Sequence, residues 1–277
     1  MTHNKKEVVV TAAEYNQFRD YLEGLSGILL GDGKEYLVAS RLRKLMADRN
    51  LPSLTELMYC MERDRQFKNN VIDAMTTNET LWLRDSHPFE ILRNRVFPAL
   101  AEQSSPIRIW SSACSTGQEP YSIKLTELEF RRTSSKRLPA VSVLATDLSE
   151  SALSAAKEGT YPWMAIRRGM PEDQLAKYFE KTGDDAWHVG KELRQGVEFR
   201  NFNLNDSYSR LGTFDIIFCR NVLIYFSAER KREILLKMHG ALKPGGYLIL
   251  GASEALSGMP DHYEMVSCNP GILYRKK

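Results

Sequence analysis

The chain has 277 residues, enough for one large domain or for a medium domain with a small companion. Its composition, 43% hydrophobic and 26% charged, is that of an ordinary globular protein, and a net charge of +3 is too weak to point to nucleic acid. No apolar run approaches the length of a membrane span, so no direct membrane insertion is expected. The start, MTHNKKEVVVTAAEY, has a short valine run and no cleavage pattern, which argues against a leader. Cys60, Cys114, Cys219 and Cys268 form no C-x-x-C pair, and His3, His87, His188, His239 and His262 show no metal-ligand spacing. Buried reduced thiols in a cytoplasmic protein without a metal are expected.

From Thr11 to Thr77 the pattern is helical. TAAEYNQFRDYLEGLSG places Tyr15, Phe18, Tyr21, Leu22 and Leu25 at helical spacing, and Thr11 with Glu14 makes an S/T-x-x-E capping box. GKEYLVASRLRKLMADRN repeats the period with Tyr36, Leu37, Leu42, Leu45 and Met46. SLTELMYCMERD opens on a second capping box, Ser53 to Glu56, and FKNNVIDAMTT adds a fourth short helix. Residues 1–77 are therefore expected to form a small all-α helical domain. Residues 78–94 join it to the rest. Their Trp82, Leu83 and Phe89 suggest a packed junction and not a loose linker.

From residue 95 to 277 short β-rich runs alternate with amphipathic helices. IRIWSS, VSVLATD, GVEFRNF, FDIIFCR and GYLILGASE read as strands, with PYSIKLTELEFRR, SESALSAAKEG and AERKREILLKMHGAL as helices between them. This alternation predicts an α/β fold with a doubly wound, mostly parallel sheet covered on both faces. YEMVSCN, a turn at Asn269-Pro270-Gly271 and GILYRKK predict a C-terminal antiparallel hairpin at the sheet edge. Tyr161 to Gly196 is too long for an ordinary connection, and a small β-subdomain insertion is expected at about 180–198.

Ligands of open parallel sheets bind at the carboxyl ends of the strands. The first strand runs into ACSTGQEPYS, which has a single glycine and carries Glu119 at the helix start. A dinucleotide pyrophosphate wants bare glycine backbone at a helix N-terminus, and Glu119 would repel it. A cationic ligand without phosphate suits this turn better. Asp147 ends the second strand, where a carboxylate can accept both hydroxyls of an adenosine ribose; it is equally placed to cap the following helix. Polar residues follow the third and fourth strands, in NFNLND and CRNVLIYF.

TTNET followed by LR, then IWSSACSTGQEPYSI, ATDLSESALSAAKEGTY, FNL, FDIIFCRNVLIYF and LKPGGYLILGASE, resembles the CheR family of chemotaxis receptor methyltransferases over nearly the whole chain. The family's usual first motif is ASTGEEPYS; Cys114 and Gln118 depart from it, and Glu119 keeps the acidic position. The resemblance implies a class I methyltransferase-like sheet that uses S-adenosyl-L-methionine and releases S-adenosyl-L-homocysteine. It implies methyl transfer to glutamate carboxylates on the cytoplasmic coiled coil of a methyl-accepting chemoreceptor. By the same resemblance Asn78, Thr80 and Arg84 close over the cofactor, Glu119 meets its aminocarboxypropyl end and Asp147 holds the ribose. Asn203 and Leu204 flank the adenine, Arg220 and Asn221 line the site, and Tyr225 lies near the transferred methyl.

A glutamate with a pKa near 4.3 is about 99% ionised at neutral pH, so the acceptor needs no general base. Catalysis is then alignment and exclusion of water, with Arg84 and Tyr225 as the candidate catalytic residues. SRLRKLMADR puts Arg41 and Lys44 on one helical face with Arg43 adjacent, either a solvated face or a docking face for an acidic receptor helix. KTGDDAWHVG is short and poor in glycine beside the family's peptide-docking piece, so docking of a receptor's C-terminal pentapeptide is not expected. Nothing demands more than a monomer. The alternatives are a methyltransferase of another substrate, disfavoured by RNVL where amino-group methylation often uses an N-P-P-Y-like motif, or a non-catalytic receptor-binding relative.

Overall fold

A computed structural model describes residues 10–256 and 258–277. The leader reading of residues 1–9, with His3, lies outside the described residues. Four helices come first: α1 (Ala12–Ser26), α2 (Glu35–Asp48), α3 (Leu54–Arg63) and α4 (Arg65–Met75). Their apolar faces close one core, with Phe18, Leu22, Val38, Leu42, Met46, Leu57 and Val71 fully enclosed. The first capping box forms in both directions, Thr11 accepting from the Glu14 N–H and the Glu14 carboxylate accepting from the Thr11 N–H. The second forms by half: Ser53 Oγ accepts from the Glu56 N–H at 3.2 Å, and no bond returns from Ser53 N–H to Glu56.

The junction is packed, as its large apolar residues require. Trp82 is buried, set edge-on to Tyr161 and Phe179 with ring centroids 5.0 and 5.1 Å away. Gly169, at φ 106°, lies against the Trp82 carbonyl, where a Cβ would collide with it. Within the junction a continuous helical stretch begins and runs through α5 (His87–Ile91), a π-helical turn (Leu92–Val96) and α6 (Phe97–Leu100), straight across the change of texture expected at residue 95. It packs on the sheet through Phe89, Leu92, Val96 and Phe97.

The sheet alternates with helices in the order β1 (Ile107–Ser111), α7 (Gln118–Thr133), β2 (Val141–Asp147) and α8 (Glu150–Glu158). An insertion follows: β3 (Thr160–Pro162), α9 (Trp163–Ile166), α10 (Glu172–Tyr178), β4 (Phe179–Lys181), β5 (Ala186–Val189) and α11 (Lys191–Arg194). The chain returns as β6 (Val197–Asn201), β7 (Phe214–Cys219), α12 (Ala228–Ala241), β8 (Leu242–Leu250), β9 (Tyr263–Ser267) and β10 (Ile272–Lys276). The seven-stranded order is β6-β2-β1-β7-β8-β10-β9, parallel as far as β8, with β10 antiparallel between β8 and β9. The expected hairpin is present, its second strand lying inside its first.

Two boundaries differ from the sequence reading. The small sheet, ordered β3-β5-β4, begins at Thr160 and not near 180, and residues 197–198 belong to β6 of the main sheet. Thr160 directly follows the helix SESALSAAKEG and carries no strand signal of its own, and only its pairing with His188 makes it a strand. β8 starts at Leu242, four residues before the expected Gly246, and GASE lies outside it as a turn. Alternate side chains of each central strand enter opposite cores. Ile109, Ile216 and Phe218 face the junction helix and α7, while Trp110, Ile217 and Cys219 face α12. The cysteines are free thiols; burial pushes those of Cys114 and Cys219 well up.

Candidate active site

Strand order reverses between β1 and β7, and the carboxyl ends of β1, β2, β6 and β7 open there into one cleft of roughly 1000 Å³ including its mouth. Every residue expected at the cofactor lines it: Asn78, Thr80, Arg84, Glu119, Asp147, Asn203, Leu204, Arg220, Asn221 and Tyr225. Ser26, Ile28 and Met75 of the helical unit also line it. Sequence reasoning missed these three. Each belongs to, or closely follows, a helix with an ordinary amphipathic pattern, which does not reveal that a helix end also serves a cavity.

On the sheet side the polar groups are fixed by the backbone. Asp147 is buried, its two oxygens accepting from the Ser115 N–H at 2.7 Å and the Ser149 N–H at 2.9 Å. The alternative of Asp147 as helix cap is resolved: Ser149 caps α8, accepting from the Ala152 N–H. Burial pushes the Asp147 carboxyl up from its ordinary value, against the opposing pull of those N–H groups. Gly117, at φ 97°, turns the chain from β1 into α7, and a Cβ there would meet the Ala156 side chain and the Tyr161 hydroxyl at 2.9 Å.

Glu119 accepts from Ser111 Oγ at 2.7 Å and from Arg220 Nη1 at 2.9 Å. Arg220, almost wholly enclosed, also donates Nη2 to Asp85 Oδ2 at 2.8 Å and to the Arg84 carbonyl at 2.7 Å. The guanidinium thus fixes the junction turn to α7, and it faces two carboxylates. The three formal charges around Arg220 sum to a negative balance, and of its two carboxylates Glu119 lines the cleft, where it can meet a cationic group, while Asp85 lies outside the lining. Asp85 was not foreseen; an acidic residue in a turn carries no signal without its distant partner.

The helical unit and Asn78 reach the sheet side through separate bonds. Asn78 donates to Ser149 Oγ at 3.3 Å, and its carbonyl accepts from Ser115 Oγ at 2.9 Å. Arg84 donates to the Glu79 carbonyl at 3.0 Å. Asn203, expected beside an adenine, donates its amide to the Leu25 carbonyl of α1 at 2.8 Å. The Leu29 N–H donates to the Tyr225 carbonyl at 2.8 Å. Arg41 is not a free docking cation: it donates to the carbonyls of Met75 and Thr76 and to Thr77 Oγ1, closing the end of α4 against the junction. Arg43 and Lys44 are exposed.

A family model described as "CheR methyltransferase, all-alpha domain" matches residues 13–76, and one described as "CheR methyltransferase, SAM binding domain" matches residues 78–272. The chain belongs to the CheR methyltransferase family. Chemotaxis protein methyltransferase 1 of Pseudomonas aeruginosa is 54% identical over 269 residues, covering 96% of this chain and 98% of that protein. Chemotaxis protein methyltransferase Cher2 of Pseudomonas putida is 52% identical, covering 95% and 98%. The Vibrio parahaemolyticus chemotaxis protein methyltransferase is 47% identical, covering 98% and 99%. The cleft residues fit the family's cofactor, S-adenosylmethionine. A buried carboxylate with unused lone pairs suits a ribose diol, and the negative balance beside Glu119 suits an ammonium and a sulfonium. No helix among the described residues is long and apolar enough to cross a membrane.

Proposed function

We propose that the chain methylates side-chain carboxylates of glutamates on chemoreceptors, giving glutamate methyl esters. The reading rests on the family, on relatives named chemotaxis protein methyltransferases, and on one observation. The cleft lining among the described residues holds no histidine, lysine or cysteine, and each of its carboxylates is engaged. Glu119 pairs with Arg220, Asp147 accepts two N–H groups, and Glu79 pairs with Arg168 at 3.0 Å. No free general base is at hand. An ammonium acceptor would need one; a carboxylate is already an anion.

The cofactor supplies a methyl group on a positive sulfur. Asp147 holds the ribose, Glu119 the ammonium of the aminocarboxypropyl arm, with Arg220 fixing Glu119 in place. Asn203 and Leu204 border the adenine, and Asn78, Thr80 and Asn221 close the cleft around the arm and the methyl. Arg84 could orient one oxygen of the incoming carboxylate and leave the other free to accept the methyl that the bound cofactor would supply. Tyr225 faces the sulfonium or donates to the carboxylate, a contact worth roughly 0.5–2 kcal/mol if cation–π. With Arg41 committed to α4, docking of an acidic receptor helix falls to Arg43 and Lys44.

The test is transfer of labelled methyl from S-adenosylmethionine to receptor-containing membranes, followed by base treatment. Label released as methanol is the expected result. Label that survives base on the receptor would mean an N-methyl product and a different acceptor.

A further inference from the structure

The turn after β8 holds a carboxylate, Glu254, that lies outside the cleft lining. Glu254 Oε2 accepts from the N–H groups of Asn221 at 2.7 Å and Gly251 at 2.8 Å. Its Oε1 accepts from the N–H groups of Val222 at 3.0 Å and Leu223 at 2.7 Å. One side chain thus gathers three successive amides of the loop after β7 and one of its own turn. These amides precede the 3-10 turn Leu223–Tyr225, so they have no helical carbonyl to bond.

The surroundings are built for this contact. β7 and β8 are adjacent and parallel, with Cys219 beside Leu250, so the two loops leave the sheet side by side. Asn221 sits at φ 57°, a left-handed conformation that a non-glycine residue keeps only when its surroundings hold it. A Cβ on Gly251 would stand 2.6 Å from Glu254 Oε2 and 2.8 Å from the Asn221 N, so only glycine admits the carboxylate. The run GASE and the run RNVLIY are two halves of one device.

We infer that Glu254 is a positioning residue for methyl transfer: by collecting the amides of residues 221–223 it fixes Asn221 and Tyr225 at the cleft. It touches neither cofactor nor acceptor and acts through the loop. The inference rests on the methyl-transfer reading above for Tyr225, whereas the loop's dependence on Glu254 stands apart from the acceptor's identity.

Glu254→Gln keeps the volume but turns one acceptor atom into a donor facing N–H groups. Hydrogen exchange at Asn221, Val222 and Leu223 is expected to quicken by about 10- to 100-fold, with the sheet amides unchanged. Turnover per folded molecule is expected to fall by about 10- to 100-fold. In a Tyr225→Phe background the same change should cost clearly less than it does alone, because part of its effect passes through Tyr225. Gly251→Ala, which leaves every charge in place, should reproduce both effects and replaces the first variant if that one does not fold. Unchanged exchange at 221–223, unchanged turnover per folded molecule, or losses that multiply fully in the double variant would each overturn the inference. If the wild-type protein yields no base-labile methyl, the acceptor assignment is what fails. S-adenosylhomocysteine affinity then decides for Glu254: a weakening of about 10-fold supports it, and none overturns it.

Discussion

The two sides of the cleft are built differently. On the sheet side, Asp147 and Arg220 are buried and Glu119 is largely covered, and each carries two or more partners, several of them backbone groups of the turns after β1 and β2 or of the junction. On the helical side, α1 and the segment just after it reach the other half through single bonds, Asn203 to the Leu25 carbonyl and the Leu29 N–H to the Tyr225 carbonyl. α4 adds Asn69 to Glu150 at 2.9 Å and the Ser151 N–H to Asp73 at 3.0 Å. A set of dipoles fixed before the ligand arrives stabilises charge without reorganising, which suits the reacting end. A wall held by a few separate bonds can part at small cost, which suits entry and release. Fixed charge and movable cover are therefore divided between the halves of the chain.

Variants that act on one side only sharpen this contrast. The largest expected effect is Arg84→Ala, because the proposed mechanism has this junction residue orient the acceptor carboxylate. Turnover with saturating cofactor should drop by about 100- to 1000-fold, with S-adenosylhomocysteine binding and thermal unfolding little changed. Equal turnover would remove Arg84 from the reaction and leave the sheet side alone responsible.

Asp147→Asn comes next. Losing two charge-assisted bonds to a diol corresponds to about 3 kcal/mol, or about 100-fold in S-adenosylhomocysteine affinity by titration calorimetry. The raised Asp147 pKa adds a pH signature with two signs. Binding wants the carboxylate, so affinity should fall with falling pH earlier than an exposed aspartate near 3.8 would dictate. Folding of the ligand-free protein runs the other way. Between the ordinary and the raised value the native state holds more protons than the unfolded chain, so this residue's contribution to stability rises as pH falls. Asp147→Asn should abolish both dependences. An affinity that follows an unshifted aspartate would mean the site is wetter than its burial implies.

Much of this contrast was legible from sequence on the sheet side only. Asp147 and Asn221 stand at or just past the end of an apolar run and are legible as strand ends, whereas Glu119 and Asn203 come further along their turns and are placed by the family resemblance. What a run of residues cannot express is the partner across the fold. Arg220 reads as a polar residue after β7, and only the structure joins it to Asp85 and Glu119. Arg41 reads as a surface cation because helical spacing puts it near Lys44, yet its length carries the guanidinium to the end of α4. Thr160 directly follows the helix SESALSAAKEG and carries no strand signal of its own, because its strand partner His188 lies far along the chain. Local periodicity reports elements; long-range satisfaction of donors and acceptors decides what their ends do.

A smaller effect is expected at Gly27, where the helical side meets the loop carrying Tyr225. Gly27 has φ 77°, and a Cβ there would stand 2.5 Å from the Phe226 ring and 2.9 Å from the Asn205 amide. Gly27→Ala should loosen this contact by about 1–3 kcal/mol and weaken S-adenosylhomocysteine binding by about 10-fold. Faster hydrogen exchange should be confined to the end of α1 and residues 222–226. If the whole sheet loosens instead, the two sides are one cooperative body and the contrast fails.

The smallest effect separates the stability of the cover from its fit. Thr11 and Glu14 cap α1 at the end remote from Ser26, through reciprocal bonds, whereas Ser53 caps α3 through one. Thr11→Ala should cost about 1–2 kcal/mol of stability and Ser53→Ala about 1 kcal/mol or less, because the Thr11 hydroxyl both accepts from the Glu14 N–H and donates to the Glu14 carboxylate at 2.8 Å, whereas Ser53 only accepts. Neither should change S-adenosylhomocysteine affinity by more than about 2-fold, since neither touches a contact with the sheet side. A matching loss of affinity in Thr11→Ala would show that α1 transmits strain along its length to Ser26. The helical side would then be a rigid wall whose fit depends on its far end, and cofactor entry would require the helical unit to move as one piece.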